Sequence, residues 1–289
     1  MKISIFSMIK SMIGLTAAVS ILNLFNFSAW AGDQPRFKKV MIVVLENTDY
    51  EDALNQPYLS KLASEGASFS QFTAETHPSQ PNYIAMISGD TQGVRGDGNA
   101  NVSGKHIGDL LEAAGKSWKV YAEDYPGQCF QGSRANDYAR KHVPFISFTN
   151  VSSNPASCAR IVNSSQLDLD IAAGALPDFS FYVPNLKNDG HDTGASFADS
   201  WLSTNFKSRL VDPKFSKDLL FITTFDESDN FFGSNQIYTS FYGDSVIPGS
   251  KISDATNHYS ILRLIEETLG LGSLGQADAS ASVIHGIWK

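Results

Sequence analysis

Cysteine is nearly absent from the 289-residue chain, which holds only Cys129 and Cys158. Two sulfurs without a neighbouring histidine pair exclude a thiolate zinc site. In an exported protein they most simply form one disulfide, worth roughly 3 to 4 kcal/mol in the chain-entropy account. Basic residues are also scarce. Lys and Arg number 22 against 30 Asp and Glu, for a formal charge of −8. That balance argues against a nucleic-acid backbone or an anionic membrane as the main partner. It leaves room for a small anion, whose binding is decided by a local field and a metal. Beyond Ala31 no stretch is long and apolar enough to cross a bilayer, and neither repeats nor low-complexity linkers divide the chain. One domain is therefore expected.

The amino-terminal segment has the three parts of a secretory signal. Met1 to Lys10 carries two lysines, Ile13 to Phe27 is largely apolar, and Ala29-Trp30-Ala31 is a small-x-small cleavage site. A signal peptide over residues 1–31 and a catalytic domain over 32–289 follow, with a secreted or periplasmic product and no stable membrane anchor after cleavage. A retained anchor is the alternative, but Ser20, Asn23 and Asn26 interrupt an apolar run that is already short for a span.

Strands and helices then alternate. Val40 to Leu45 is a continuous β-branched and apolar run, as expected of a strand buried on both faces. Leu59, Leu62 and Ala63 follow helical spacing up to Gly66, and Ala67 to Phe72 is a second strand. The helix–glycine–strand pattern repeats with Ile107 to Ala114, Gly115 and Trp118 to Ala122. Glu123 to Pro155 has weak periodicity and reads as an irregular excursion pinned by the disulfide. Phe179 to Val183 and Leu219 to Phe225 are further strands, separated by helical faces at Leu167 to Ala172 and Phe197 to Phe206. Phe231 to Ile252 reads as loops or a hairpin near a cleft, and Ile261 to Leu269 is a closing helix. This order implies an α/β three-layer sandwich with a mostly parallel central sheet.

In such a sheet ligands bind outside the carboxyl ends of the strands. Two strands end in acidic pairs there, Glu46-Asn47 and Asp226-Glu227, which are candidate metal ligands or, singly, loop residues and helix caps. Thr76-His77-Pro78-Ser79-Gln80-Pro81-Asn82-Tyr83 opens a helix, since Pro81 suits a first turn. Ser79 at its mouth is either an N-cap or a nucleophile placed where free N–H groups attract an anion. The donor set is all oxygen, which suits one divalent ion, calcium, magnesium or manganese rather than zinc. His191, flanked by Asp189 and Asp192, is a candidate acid for a leaving alcohol. His77 faces either a phosphate or the turn backbone, and His258 either the cleft or solvent. His106, His142 and His285 have no acidic or nucleophilic neighbours in sequence and read as structural or solvated.

Taken in order, Val44-Leu45-Glu46-Asn47, the Thr76 to Tyr83 stretch, Pro184-Asn185 with Asn188 to Asp192, Phe225-Asp226-Glu227 and His258-Tyr259-Ser260 resemble the phosphoesterase family of acid phosphatases and bacterial phospholipases C. That family is similar in fold to the alkaline phosphatase superfamily. The resemblance spans Lys39 to Leu269. It implies that Ser79 is the nucleophile of a phosphoserine mechanism and that Glu46, Asn47, Asp226 and Glu227 hold the metal. It further implies that His191 and His258 contact the phosphoryl group or the leaving oxygen with Asp189 or Asp192 as partner; His77, Asn82 and Asn185 are candidate contacts to a small phosphorylated substrate. The chain lacks the second, His- and Asp-rich metal site of two-zinc alkaline phosphatases. It also lacks the added domains of many phospholipase C relatives. An exported acid phosphatase is the leading expectation, a phospholipase C or other phosphodiesterase the second. A secreted binding protein without catalysis is the alternative of another class.

Overall fold

The computed structural model describes residues 34–289, and the expected signal peptide lies outside the described residues. Eight strands form one sheet: β1 (Lys39–Leu45), β2 (Ala67–Phe69), β3 (Trp118–Ala122), β4 (Ile161–Asn163), β5 (Phe179–Val183), β6 (Leu219–Phe225), β7 (Thr239–Tyr242) and β8 (Ser250–Ile252). Their spatial order is β8-β2-β7-β6-β1-β5-β3-β4. Only β7 runs against its neighbours. The other pairs are parallel, so the mostly parallel sheet expected from the alternation is present.

Every residue of β5 and β6 is buried, as is all of β1 after Lys39. Continuous apolar runs of this kind need helices on both faces. Six helices supply most of that cover: α1 (Pro57–Glu65), α2 (Ser79–Ser88), α3 (Ile107–Ala113), α4 (Gln166–Ala172), α5 (Ala195–Leu210) and α6 (His258–Leu269). α2 packs on α3 and α6, while α1 packs on α5. The latter side is drawn in at Gly66, where a Cβ would stand 2.1 Å from the Phe241 carbonyl oxygen. Only glycine lets the end of α1 approach β7 so closely.

Two segments differ from the sequence expectation. Phe231 to Ile252 contains β7, inserted antiparallel between β6 and β2, and the edge strand β8. Thr239–Tyr242 is short and half polar, so it carries no apolar run to announce a buried strand. The excursion after β3 is irregular as expected and is tied by the Cys129–Cys158 disulfide, with Cα atoms 5.6 Å apart. Its 3-10 turns at Arg140–His142 and Pro144–Ser147 nevertheless pack directly against α2. Among the described residues no helix is long and apolar enough to cross a membrane.

Candidate active site

The register of two parallel strands builds the floor of the site. Leu45 of β1 lies beside Phe225 of β6, so the next residue of each strand, Glu46 and Asp226, leaves the sheet at the same edge. Backbone bonds hold the exits together, Asp226 N–H to the Leu45 carbonyl at 3.0 Å and Thr48 N–H to the Glu227 carbonyl at 3.3 Å. Glu46, Asp226 and Glu227 are all buried.

α2 brings the hydroxyl to this floor. Pro78 occupies the N-cap position and Ser79 the first helical one. The Ser79 side chain therefore does not cap the helix. Its Oγ lies 3.1 Å from Glu46 Oε2 and 3.2 Å from Glu227 Oε1. A single hydroxyl proton serves one carboxylate at a time, and either is close enough to accept it. The helix N-terminus is not left open to an external anion. Gln80 N–H donates to Asp97 Oδ1 at 3.0 Å, an acidic side chain placed where the helix dipole favours it.

Three buried carboxylates around one hydroxyl are costly. Two full charges about 5 Å apart repel by roughly 3 kcal/mol at an effective dielectric of 20. Burial pushes Asp226 well above the usual carboxyl range, and Glu46 and Glu227 push it the same way. Glu227 is raised by burial against the pull of His77. Both Asp226 oxygens and Asn47 Oδ1 are buried without a hydrogen-bond partner, an arrangement rare in folds unless something else satisfies the atoms. The other end of the Asn47 amide donates to Glu227 Oε1 at 3.0 Å. Hard oxygen donors of this kind fit a divalent cation. Among the described residues, however, no three His, Cys, Asp or Glu side chains form a ready-made metal cage; the amide of Asn47 and the hydroxyl of Ser79 would have to complete one.

Two basic residues that the sequence did not place at the site join the cluster. Lys141 Nζ lies 3.4 Å from Ser79 Oγ and 2.8 Å from Asp97 Oδ2. Burial works against its charge, but Glu46 and Asp97 outweigh burial and raise its pKa. His142, expected to be structural or solvated, is buried with Nε2 3.1 Å from Glu46 Oε1 and Nδ1 3.7 Å from Asp189 Oδ2. Burial pushes it down to about 4 despite Glu46. Tyr83 stacks on its ring and donates to Glu46 Oε1 at 2.7 Å. Asp189 is raised to about 8, first by burial and then by Glu46.

The remaining expected residues fall into three groups. His77 is at the centre, its Nδ1 paired with Glu227 Oε2 and its Nε2 buried without a partner. His191 stands half-exposed at the rim with Nδ1 2.7 Å from Asp192 Oδ1. Burial lowers its pKa, but the Asp192 hydrogen bond and the field of Glu46 leave it raised. Asp189 meets His191 only through the backbone N–H, at 3.1 Å.

The third group is spent on the fold. His258 is buried with Nδ1 2.5 Å from Glu75 Oε2 and Nε2 2.9 Å from the Phe225 carbonyl, so neither nitrogen is free to meet a leaving oxygen. It ties the start of α6 to the end of β6. Asn82 accepts from Glu75 and Thr76 N–H and donates to the Thr76 and Pro78 carbonyls. Asn185 accepts from Lys187 and Asn188 N–H and donates to Asp124. Each was expected to touch substrate; each instead has both ends of its amide occupied. His106 caps α3 by accepting from Gly108 N–H, and His285 is exposed.

The chain also has relatives among known proteins. The chain is 38% identical over 264 residues to a probable acid phosphatase of Kluyveromyces lactis, covering 86% of this chain and 62% of that relative. It thus spans under two thirds of that relative's length. It is 34% identical over 288 residues to a phosphatidylinositol-3-phosphatase of Mycobacterium tuberculosis, covering 94% and 93%. Among solved structures, an alkaline phosphatase superfamily protein from Vibrio parahaemolyticus shares the fold, with a TM-score of 0.58 at 16% identity over 85% of this chain and 70% of that one. Residues 27–272 match the Phosphoesterase family, and with every element of the Ser79 site inside those bounds, the chain belongs to that family.

Proposed function

We infer that the chain is an exported acid phosphatase that hydrolyses small phosphomonoesters through a phosphoserine at Ser79 and depends on one divalent cation. The single observation that carries this function is the Ser79 hydroxyl within hydrogen-bond reach of both Glu46 and Glu227. Relatives named as phosphatases support a monoester over a diester. The disulfide supports export, because such bonds persist in oxidising compartments.

Glu46, Asn47, Asp226 and Glu227 would hold the cation, with Ser79 beside it. When bound, the ion offsets the carboxylate repulsion and supplies positive charge to the serine oxygen and the phosphoryl group. The protein's own groups do the rest. Ser79 gives its proton to a neighbouring carboxylate and attacks phosphorus, while Lys141, 3.4 Å from the same oxygen, neutralises charge there. His77 Nε2 is placed to meet a phosphoryl oxygen. His191, held charged by Asp192, gives a proton to the departing alcohol, and water later attacks the phosphoserine to release phosphate and restore the hydroxyl.

Turnover of p-nitrophenyl phosphate against its choline diester by the wild-type protein tests the assignment. Monoester hydrolysis that stops on dialysis against a chelator and returns with calcium, magnesium or manganese is expected. Diester hydrolysis alone would move the chain to the phosphodiesterases, and turnover of neither would leave a binding protein.

A further inference from the structure

Among the described residues seven large apolar side chains are exposed, and two of them are chain neighbours: Phe231 at 63% and Phe232 at 95%. They stand beside the Ser79 site. The Phe231 ring centroid is 4.8 Å from that of His77, whose Nδ1 pairs with Glu227, the carboxylate next to Ser79. The Phe232 ring extends this surface outward, edge to face with Phe231 at 5.5 Å.

The loop that carries them is tied to the parts it would have to serve. Asn235 Nδ2 donates to the Thr76 carbonyl at 3.0 Å, three residues from the nucleophile, and Asn235 Oδ1 accepts from Ser228 N–H at 2.9 Å. Asn230 N–H donates to Asp49 Oδ1 at 3.0 Å, and Phe232 N–H to Asn230 Oδ1 at 3.2 Å. Exposed rings held by a bonded loop cost solvation unless something covers them in use. A phosphate seated at Ser79 and His77 would project its ester group toward solvent past this wall.

From this juxtaposition we propose that Phe231 and Phe232 form a leaving-group subsite that selects phosphomonoesters of apolar alcohols over those of sugars and other polar alcohols. The subsite rests on the phosphatase function proposed above. It acts on binding rather than on chemistry, since neither ring reaches a reacting atom. Half-burying an alkyl chain against two rings gains about twofold in affinity per methylene, half the effect of full burial in free-energy terms.

Linear alkyl phosphates from ethyl to hexyl test it, because lengthening the chain hardly changes the leaving-group pKa. For the wild type kcat/KM should rise by about twofold per methylene, chiefly through KM. Phe232→Ser should flatten that rise to less than half; so exposed a position tolerates the change without unfolding. Phe231→Leu should retain most of it. An undiminished slope in Phe232→Ser, or an equal loss at every chain length, would overturn the subsite. A wild type that hydrolyses all the esters with no slope would overturn it too, while leaving the phosphatase function standing. A wild type that hydrolyses none would remove that function and the subsite with it.

Discussion

Asp170 and Asp226 are both buried acids beside the same sheet, and they are treated in opposite ways. Asp170 receives Lys119 Nζ at 2.5 Å, the Tyr121 hydroxyl at 2.6 Å and Gln166 Nε2 at 2.9 Å. Burial raises its pKa, but those donors prevail and hold it below the usual range. Asp226 has no donor set of that kind: neither oxygen has a well-formed hydrogen bond, and burial with Glu46 and Glu227 raises its pKa well above that range, which the nearby Ser79 hydroxyl offsets only in part. A carboxylate that serves the fold is satisfied by the fold. One left unsatisfied among two others is the kind of group that a bound cation would stabilise, as the proposed function requires, and the contrast is open to test.

Substitutions can break this contrast in order of size. Ser79→Ala should lower turnover by on the order of 10⁴-fold while the thermal midpoint stays within about 2 °C of wild type. Retention of a tenth of the activity would exclude a covalent step at this position. Asp226→Asn should lower metal affinity by roughly 10- to 100-fold and activity with it, and in chelator it should leave stability equal or higher, because the fold no longer has to keep a buried acid protonated beside Glu46 and Glu227. Metal content by mass spectrometry together with calorimetry reads both. Asp170→Asn should do the reverse. It should cost about 1 to 3 kcal/mol of stability by leaving the Lys119 charge without its partner, with turnover per folded molecule kept. If Asp226→Asn proved the more destabilising in chelator, the division between the two acids would fail.

The pH dependence of stability sharpens the same comparison, because the two kinds of acid carry opposite signs. A depressed carboxyl such as Asp170 contributes stability that is present above its unfolded value of about 3.9 and is lost as pH falls through its folded value. Asp189, raised to about 8, works the other way. Between about 4 and 8 the native state keeps a proton that the unfolded chain releases, so stability drains as pH rises across that window. In chelator, Asp189→Asn should flatten the decline above about pH 4, whereas Asp170→Asn should flatten only the acid-side loss. Identical urea midpoints for wild type and Asp189→Asn from pH 5 to 8 would refute the assignment.

How much of this was legible in the sequence depended on what local pattern can encode. β1, β5 and β6 announce themselves as unbroken apolar runs, and the acidic residues that end β1 and β6 come together because parallel register carries strand ends to one edge. Ser79 was legible from the prolines around it. Lys141 and His142 were not, since they sit in an excursion without periodicity and reach α2 only through tertiary packing. Their one trace is local: Arg140-Lys141-His142 puts three basic groups together in an acidic chain just before Pro144. His258, Asn82 and Asn185 show the opposite case, where the structure gives the polar atoms partners within the fold. Their motifs drew attention, and nothing in a linear sequence says that Glu75, the Phe225 carbonyl or the loop backbone occupies their polar atoms.

The smallest effect is expected at the rim, where solvent dilutes what the buried acids enforce. His191 is close enough to Glu46 to feel its field, but half of its side chain is exposed and its partner Asp192 is more exposed still. Its raised pKa keeps the imidazolium present to higher pH, so hydrolysis of an alkyl phosphate should fall as pH rises through that value. His191→Asn should lower ethyl phosphate turnover by about tenfold, less than the usual 10²-fold or more for a general acid because water partly substitutes. The same change should cost p-nitrophenyl phosphate under about twofold, since p-nitrophenolate departs without a proton. The pH limb should vanish in the variant for ethyl phosphate alone. Equal losses on both esters would mean that His191 holds the phosphoryl group.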